Sequence, residues 1–365
     1  MKVCGWILAA VLASLSAASA LAQQPAPAAG DFPKGRISGQ VFGDFYYNVS
    51  GDPQHRYNSA GADSGRANID GVNLIGKDLN GFQIRRVYLQ ADNDLSEEFS
   101  TRFRLEVDGK SLTSDGKIGV NVKAAYIVAK DVFPRGNFFF GMIPTPTWEI
   151  SEEFWQYRAA EKTIADFRGL GSAADLGVAL KGWAGEAHRI GYSVMIGNGM
   201  GQRPEDNRYK RLYLSIPLAP AAGFKIEPYV DYEAAHGGAD RATFKLFAGY
   251  ELKRGAVGLE IVDRVNHSTT AANQEPFGIS AFGRVAWTDR FALFWRHDRW
   301  QPNTRAADRL DSELYIAGLD WQPSKDIHVM PNLEETQYVA KGTGVAPPHH
   351  DLQARVTFYY KFSRP

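Results

Sequence analysis

The sequence predicts an all-β fold: a transmembrane antiparallel β-barrel of about sixteen strands. Three observations predict it. Period-2 alternation recurs in segment after segment, charge keeps to one face of each strand, and the connections alternate between short and long. The last strand displays the pattern best. Leu352, Ala354, Val356, Phe358, Tyr360 and Phe362 share one face, and Gln353, Arg355, Thr357, Tyr359 and Lys361 share the other. At about 3.3 Å per residue this segment crosses a bilayer when tilted. An Arg or Lys against lipid at mid-bilayer costs roughly 2–4 kcal/mol, so the charged face must be the lumen face.

The N-terminus supports a membrane address. Lys2 precedes an apolar and small-residue run, Ile7 to Ala20, and Ala20-Leu21-Ala22 offers a small-x-small cleavage site before Gln23. Residues 1–22 are therefore expected to be a signal peptide and 23–35 a short Pro/Ala-rich linker. The barrel is expected over 36–362, with 363–365 as a tail. Cys4, the single cysteine, lies inside the signal, so the exported chain needs no disulfide chemistry. Lys plus Arg equal Asp plus Glu, 41 each, which argues against nucleic-acid binding. A membrane chain without a second long apolar run must span as a closed barrel, because lipid cannot satisfy an open sheet edge.

In chain order, Ile37, Val41, Phe45 and Tyr47 oppose Gln40, Asp44 and Asn48. Val87, Leu89 and Ala91 oppose Arg86, Tyr88, Gln90 and Asp92. Phe99, Thr101, Phe103, Leu105 and Val107 oppose Ser100, Arg102, Arg104, Glu106 and Asp108. Order this strict over ten residues is not helical. Further strands are expected near 119–129, 137–143, 174–183, 188–197, 208–217, 223–233 and 241–252. The remainder fall near 255–266, 276–288, 290–300, 311–322, 326–338 and 351–362. Register is ambiguous at 137–143, 255–266 and 311–322. Short links (131–136, 184–187, 218–222, 253–255, 288–290, 323–325) alternate with mostly longer ones (198–207, 267–275, 301–310, 339–350), as short periplasmic turns and long outer loops do. A secreted β-sandwich would not sort its connections this way. Eight strands fill with their own side chains, whereas sixteen leave a wet lumen.

The basic lumen candidates include Arg86, Arg102, Arg104, Lys123, Lys181, Arg189, Arg211 and Lys225. Lys245, Arg264, Arg284, Arg296, Arg355 and Lys361 complete them. The acidic candidates are Asp44, Asp92, Glu106, Asp108, Glu227, Asp231, Glu251, Glu260, Asp298, Asp320 and Glu334. The third long-side link, Pro144 to Ala173, is too long and too aromatic for a plain connection, and is expected to fold inward. Ser151–Ile164 is expected to be a short helix there, with Ser151 as N-cap. The expected constriction sets Arg86, Arg102, Arg104, Glu106 and Lys123 of the wall against Glu149, Glu152, Glu153, Arg158 and Lys162 of the loop. Such an arrangement would create a transverse field.

Ile84-Arg-Arg-Val-Tyr-Leu-Gln90, Phe103-Arg-Leu-Glu-Val-Asp108, Ala125-Tyr-Ile-Val and Phe140-Gly-Met-Ile-Pro144-Thr-Pro, followed by the long loop, resemble the phosphate-selective porins O and P. The resemblance implies a homotrimeric channel of the bacterial outer membrane whose third loop folds inward. It also makes Phe362 the candidate aromatic of the signal read by the barrel-assembly machinery. Phosphate selectivity in that family rests on dense Arg and Lys ladders, whereas the Pro144–Ala173 loop here is net acidic. The sequence therefore implies a weakly selective diffusion channel for small hydrophilic solutes or anions, embedded among outer-membrane lipids.

The alternatives are a phosphate- or polyphosphate-selective channel and, in another class, a barrel enzyme such as a lipid hydrolase. Neither a G-x-S-x-G elbow nor a usable His-Asp pair is present, since His297 and Asp298 must point to opposite faces of a strand. His349-His350 reads as solvated surface rather than a metal site. No catalytic residue, cofactor or metal ligand is expected. A plugged receptor would need a folded domain ahead of the first strand, and only a short linker precedes it.

Overall fold

Alternating apolar and polar residues give each strand one face for lipid and one for water, and such strands satisfy their backbones only by closing on themselves. The computed structural model describes residues 32–52, 68–69, 72–73, 75–115 and 117–364. The expected signal peptide and most of the expected linker lie outside them. The barrel strands are β1 (Lys34–Ser50), β2 (Asn80–Asp94), β3 (Phe99–Leu112), β4 (Ile118–Phe133), β5 (Gly136–Pro144), β6 (Ala174–Ala184), β7 (Ile190–Gly197) and β8 (Arg211–Ser215). They continue as β9 (Phe224–Glu233), β10 (Arg241–Leu252), β11 (Gly255–Asn266), β12 (Phe277–Ala286), β13 (Phe291–Gln301), β14 (Arg309–Ser324), β15 (Ile327–Lys341) and β16 (Asp351–Arg364). All sixteen form one closed antiparallel sheet in chain order, and β16 pairs with β1 from Ile37↔Arg364 to Ser50↔Leu352.

Several boundaries differ from the sequence reading, and three of them bear on how the barrel closes. β1 starts at Lys34, and β16 runs on through Ser363 and Arg364, which pair with Ser38 and Ile37, so these two residues are strand rather than tail. β8 is shorter than expected because Pro217 removes a ladder donor, though the bridges Ile190↔Leu218 and Leu218↔Ile226 keep the wall closed there. Both ends of the chain's barrel lie on the side of the short turns. The opposite side carries the loops, of which the second, 113–117, is unexpectedly brief.

The outer face is apolar over most of the circumference. Phe82, Leu89, Phe103, Val120, Phe140, Leu246, Leu293, Leu333 and Phe358 all stand outward and exposed. The inner face divides in two. Along β10–β16 and β1 it carries Phe247, Phe282, Phe294, Leu314, Ile316, Met330 and Phe42, all buried. Along β2–β4 it carries Arg86, Arg102, Arg104, Glu106 and Lys123, which retain access to water except for Glu106.

Candidate pore constriction

What buries the apolar inner wall is the third loop, 145–173. It enters the barrel after β5 and contains two short helices, α1 (Glu149–Trp155) and α2 (Ile164–Phe167). The single expected helix over 151–164 is thus corrected. Trp148, not Ser151, occupies the N-cap, the Ser151 hydroxyl donates to the Trp148 carbonyl at 3.2 Å, and Gln156 ends α1 in the left-handed region at φ 58°. The chain turns there so that its rings can reach the wall. Phe154 meets Phe247 edge-on at 5.2 Å, Trp155 meets Phe282 at 5.4 Å, and Tyr157 stacks on Phe294 at 4.1 Å. Each such buried ring contributes roughly 1.5–3 kcal/mol. Gly249 makes room for Phe154, since a Cβ there would lie 2.6 Å from its ring.

Wall arginines then bind the loop's backbone. Arg296 donates to the Lys162 carbonyl, Arg264 to that of Leu170, and Arg355 to that of Ala160 at 3.2 Å. From the other side of the seam, Arg85 donates to the Ala159 carbonyl at 3.2 Å and to the Ala160 carbonyl, and pairs with Glu161 at 2.7 Å. Arg355 in turn pairs with Glu334 at 2.8 Å and lies 3.8 Å from Glu161. Several expected lumen charges are therefore structural. Others pair along the wall: Lys245 with Glu227 at 2.7 Å and Arg211 with Asp231 at 2.8 Å, both out of contact with water. Arg189 sits in an exposed turn rather than on a strand.

The loop's Arg158 and Lys162 face the β2–β4 wall, where Tyr88, Gln90 and Glu106 are buried while Arg86, Arg102 and Lys123 keep partial access to water. On the wall, Glu106 accepts from Arg86 at 2.5 Å, from the Tyr88 hydroxyl at 2.9 Å and from Lys123 at 2.8 Å. Arg102 pairs with Asp92 at 2.6 Å. Arg104 donates to the Gln90 amide oxygen at 2.6 Å and lies over the Tyr88 ring. Among the described residues no carboxylate pairs with it. On the loop edge, Arg158 joins Glu152 at 3.0 Å and Asp166 at 2.8 Å, and Lys162 reaches Asp166 at 3.2 Å. Arg158 is within electrostatic reach of Arg86, Glu106 and Lys123, and Lys162 of Arg86.

The expected acidic loop face is corrected by this geometry. Glu149 turns away to Lys181 at 3.1 Å and Glu153 to Lys225 at 3.0 Å, both on walls other than β2–β4. Glu152 alone of the three stays near the gap, beside Arg158. Arg86, Lys123, Arg158 and Lys162 then outnumber Glu106, Glu152 and Asp166. Burial pushes the Glu152 carboxyl up to about 7, Asp166 adds to the rise, and Arg158 opposes it. Glu161 faces the same burial, but Arg85 and Arg355 hold it down at about 2.

Sequence reasoning missed Arg85, and the signal for it was present. The register of β1 against β2 skips from Phe42↔Arg86 to Gly43↔Ile84, so Arg85 is a bulge and both arginines face inward. The lipid-facing residues change parity across it, from Phe82 and Ile84 to Leu89. The same device places Lys123. β3 pairs Arg104↔Ala124 and then Leu105↔Val122, and the exposed Val120 and Val122 give way to Ile127.

His297 faces outward, 3.6 Å from Glu313 and stacked on Tyr315, while Asp298 faces inward onto Arg296. They do not converge.

No family model matches this sequence, and no curated protein sequence matches it either. Solved structures do. The outer-membrane channel DcaP of Acinetobacter baumannii is similar with a TM-score of 0.64 at 12% identity, over 92% of this chain and 99% of that one. OmpT of Vibrio cholerae, an outer membrane protein, gives 0.61 at 12% identity over 91% and 99%. The anion-selective porin of Comamonas acidovorans gives 0.59 at 12% over 90% and 100%. At these identities the likeness is one of architecture, and the chain carries the fold of a sixteen-stranded porin of the bacterial outer membrane.

Proposed function

We propose that this chain is a passive outer-membrane channel through which small hydrophilic solutes diffuse, sorted by size and by a mild preference for anions. The observation that carries the reading is the gap between the loop edge and β2–β4. It is lined by Arg86, Lys123, Arg158 and Lys162, each between one-tenth and one-quarter exposed. A narrow passage with low-dielectric walls focuses the field of such charges onto passing ions. No residue performs chemistry in this reading. Single-channel recording in planar bilayers tests it. Discrete open steps with a small anion-selective reversal potential in a salt gradient are expected, and a folded, inserted protein that passes no current would refute the reading.

The crowding of Arg86, Lys123 and Arg158 favours one second reading, a phosphate-selective channel of the O and P type. Chloride current that collapses on adding phosphate would establish it. We further propose a homotrimer, and recognition of β16 with Phe362 by the barrel-assembly machinery, both on the family resemblance.

A further inference from the structure

Below the constriction, on the short-turn side, the lumen wall opens into a cavity of about 550 Å³. Its size is that of small-molecule sites, which run roughly 300–1,000 Å³. Tyr126, Phe139 and Val128 line it with rings and an aliphatic side chain. Lys34, Arg36, Arg102 and Lys130 line it with cations, against the carboxylates of Asp92 and Asp94.

The rings are an odd lining for a wet passage. Tyr126 and Phe139 come from neighbouring strands with centroids 5.7 Å apart and planes tilted by 58°, and both remain partly open. Gly141 lets Tyr126 take this place. Its φ of 128° disfavours any side chain, and a Cβ there would lie 2.9 Å from the Tyr126 Cα. The charges are equally specific. Asp92 lies 2.6 Å from Arg102 and 3.4 Å from Arg36, so the three together carry one surplus positive charge. Lys130 is neutralised by Asp94 at 2.5 Å. Arg102 has five N–H donors; its ion pair with Asp92 runs through Nε, and the Tyr126 hydroxyl also interacts with the guanidinium, so a bound carboxylate would share its remaining donors with Tyr126.

We infer that this cavity binds flat aromatic monocarboxylates, benzoate being the simplest, with the ring on Tyr126, Phe139 and Val128 and the carboxylate on Arg102 and Arg36. A hydrated mineral anion gains nothing from the rings. A neutral sugar would leave the surplus positive charge beside Asp92 without a counter-charge. A planar ring joined to one carboxylate uses both features, since aromatic rings prefer offset or edge-on partners and Arg binds carboxylate in a fork. This rests on the channel reading and names a solute class for it.

The test uses the purified full-length protein, with benzoate and cyclohexanecarboxylate as probes of equal charge and similar size. Benzoate is expected to bind the detergent-solubilised protein by calorimetry. It should also block single-channel current at concentrations at least tenfold lower than cyclohexanecarboxylate does. Tyr126→Leu with Phe139→Leu should erase that tenfold difference, and Arg102→Gln should weaken both acids about tenfold. Equal potency of the two acids on the unaltered protein would overturn the inference, whatever the variants do. Current without benzoate binding or block would overturn it and leave the channel standing. Benzoate binding without current would keep the site and refute the channel.

Discussion

Arg85 and Glu161 form the contact on which the position of the loop tip depends. Glu161 is almost fully buried, and removing one partner of such a pair costs about 3–5 kcal/mol because the other is left uncompensated. Arg85→Ala and Glu161→Gln should therefore free residues 159–161 from the wall, raising single-channel conductance and open-state noise in bilayer recordings. Glu152 makes a different prediction. Its folded-state value of about 7 lies above its ordinary one, so stability from holding that proton is complete below the ordinary value and is lost as pH rises through about 7. As pH falls from about 8 to 6 the loop edge sheds a negative charge, and the reversal potential should move toward anions. Glu152→Gln should abolish that movement. Glu161, held at about 2, should add no step above that pH. Arg85 itself was legible in the parity change from Ile84 to Leu89, whereas its loop partners, 74 to 76 residues away, were not.

The third loop behaves as an inner layer. Its rings cover β10 to β14, and this explains why 255–266 and 311–322 gave no clear alternation. Val262, Leu314 and Ile316 face inward onto loop or core, while Leu259 and Tyr315 face lipid, so both faces are apolar. Period 2 needs one wet face to be visible, and the loop had removed it. The strands opposite the loop kept their wet face and read cleanly, as β3 does. The helix failed for a related reason. Tertiary ring contacts, not capping chemistry, decide where α1 stops. Trp155→Ala deletes the ring that packs against Phe282 and Phe294 at a cost of about 3–5 kcal/mol, without removing a charge. The expected outcome is noisier and wider open levels with the ion preference retained, checked by conductance and reversal potential on the same preparation.

For the molecule as a cylinder, strand number and the sorting of short turns from long loops were readable because each strand must cross the same apolar thickness and each connection returns to a defined side. The brevity of 113–117 was not, since nothing in a strand pair dictates how far its outer link extends. The proposed homotrimer is checked by light scattering of the detergent-solubilised protein, which should report three chains per particle, and a monomer would refute it. One further consequence follows from where the loop tip is tied. Arg85 belongs to β2 and Arg355 to β16, strands that become neighbours across β1 only when the last strand docks on the first. Until then the Ala160 carbonyl has one of its two arginines at most. Closure of the sheet thus completes the pair of arginines on that carbonyl, while Arg296, Arg264 and the loop's rings hold the rest of the loop on strands that do not await it.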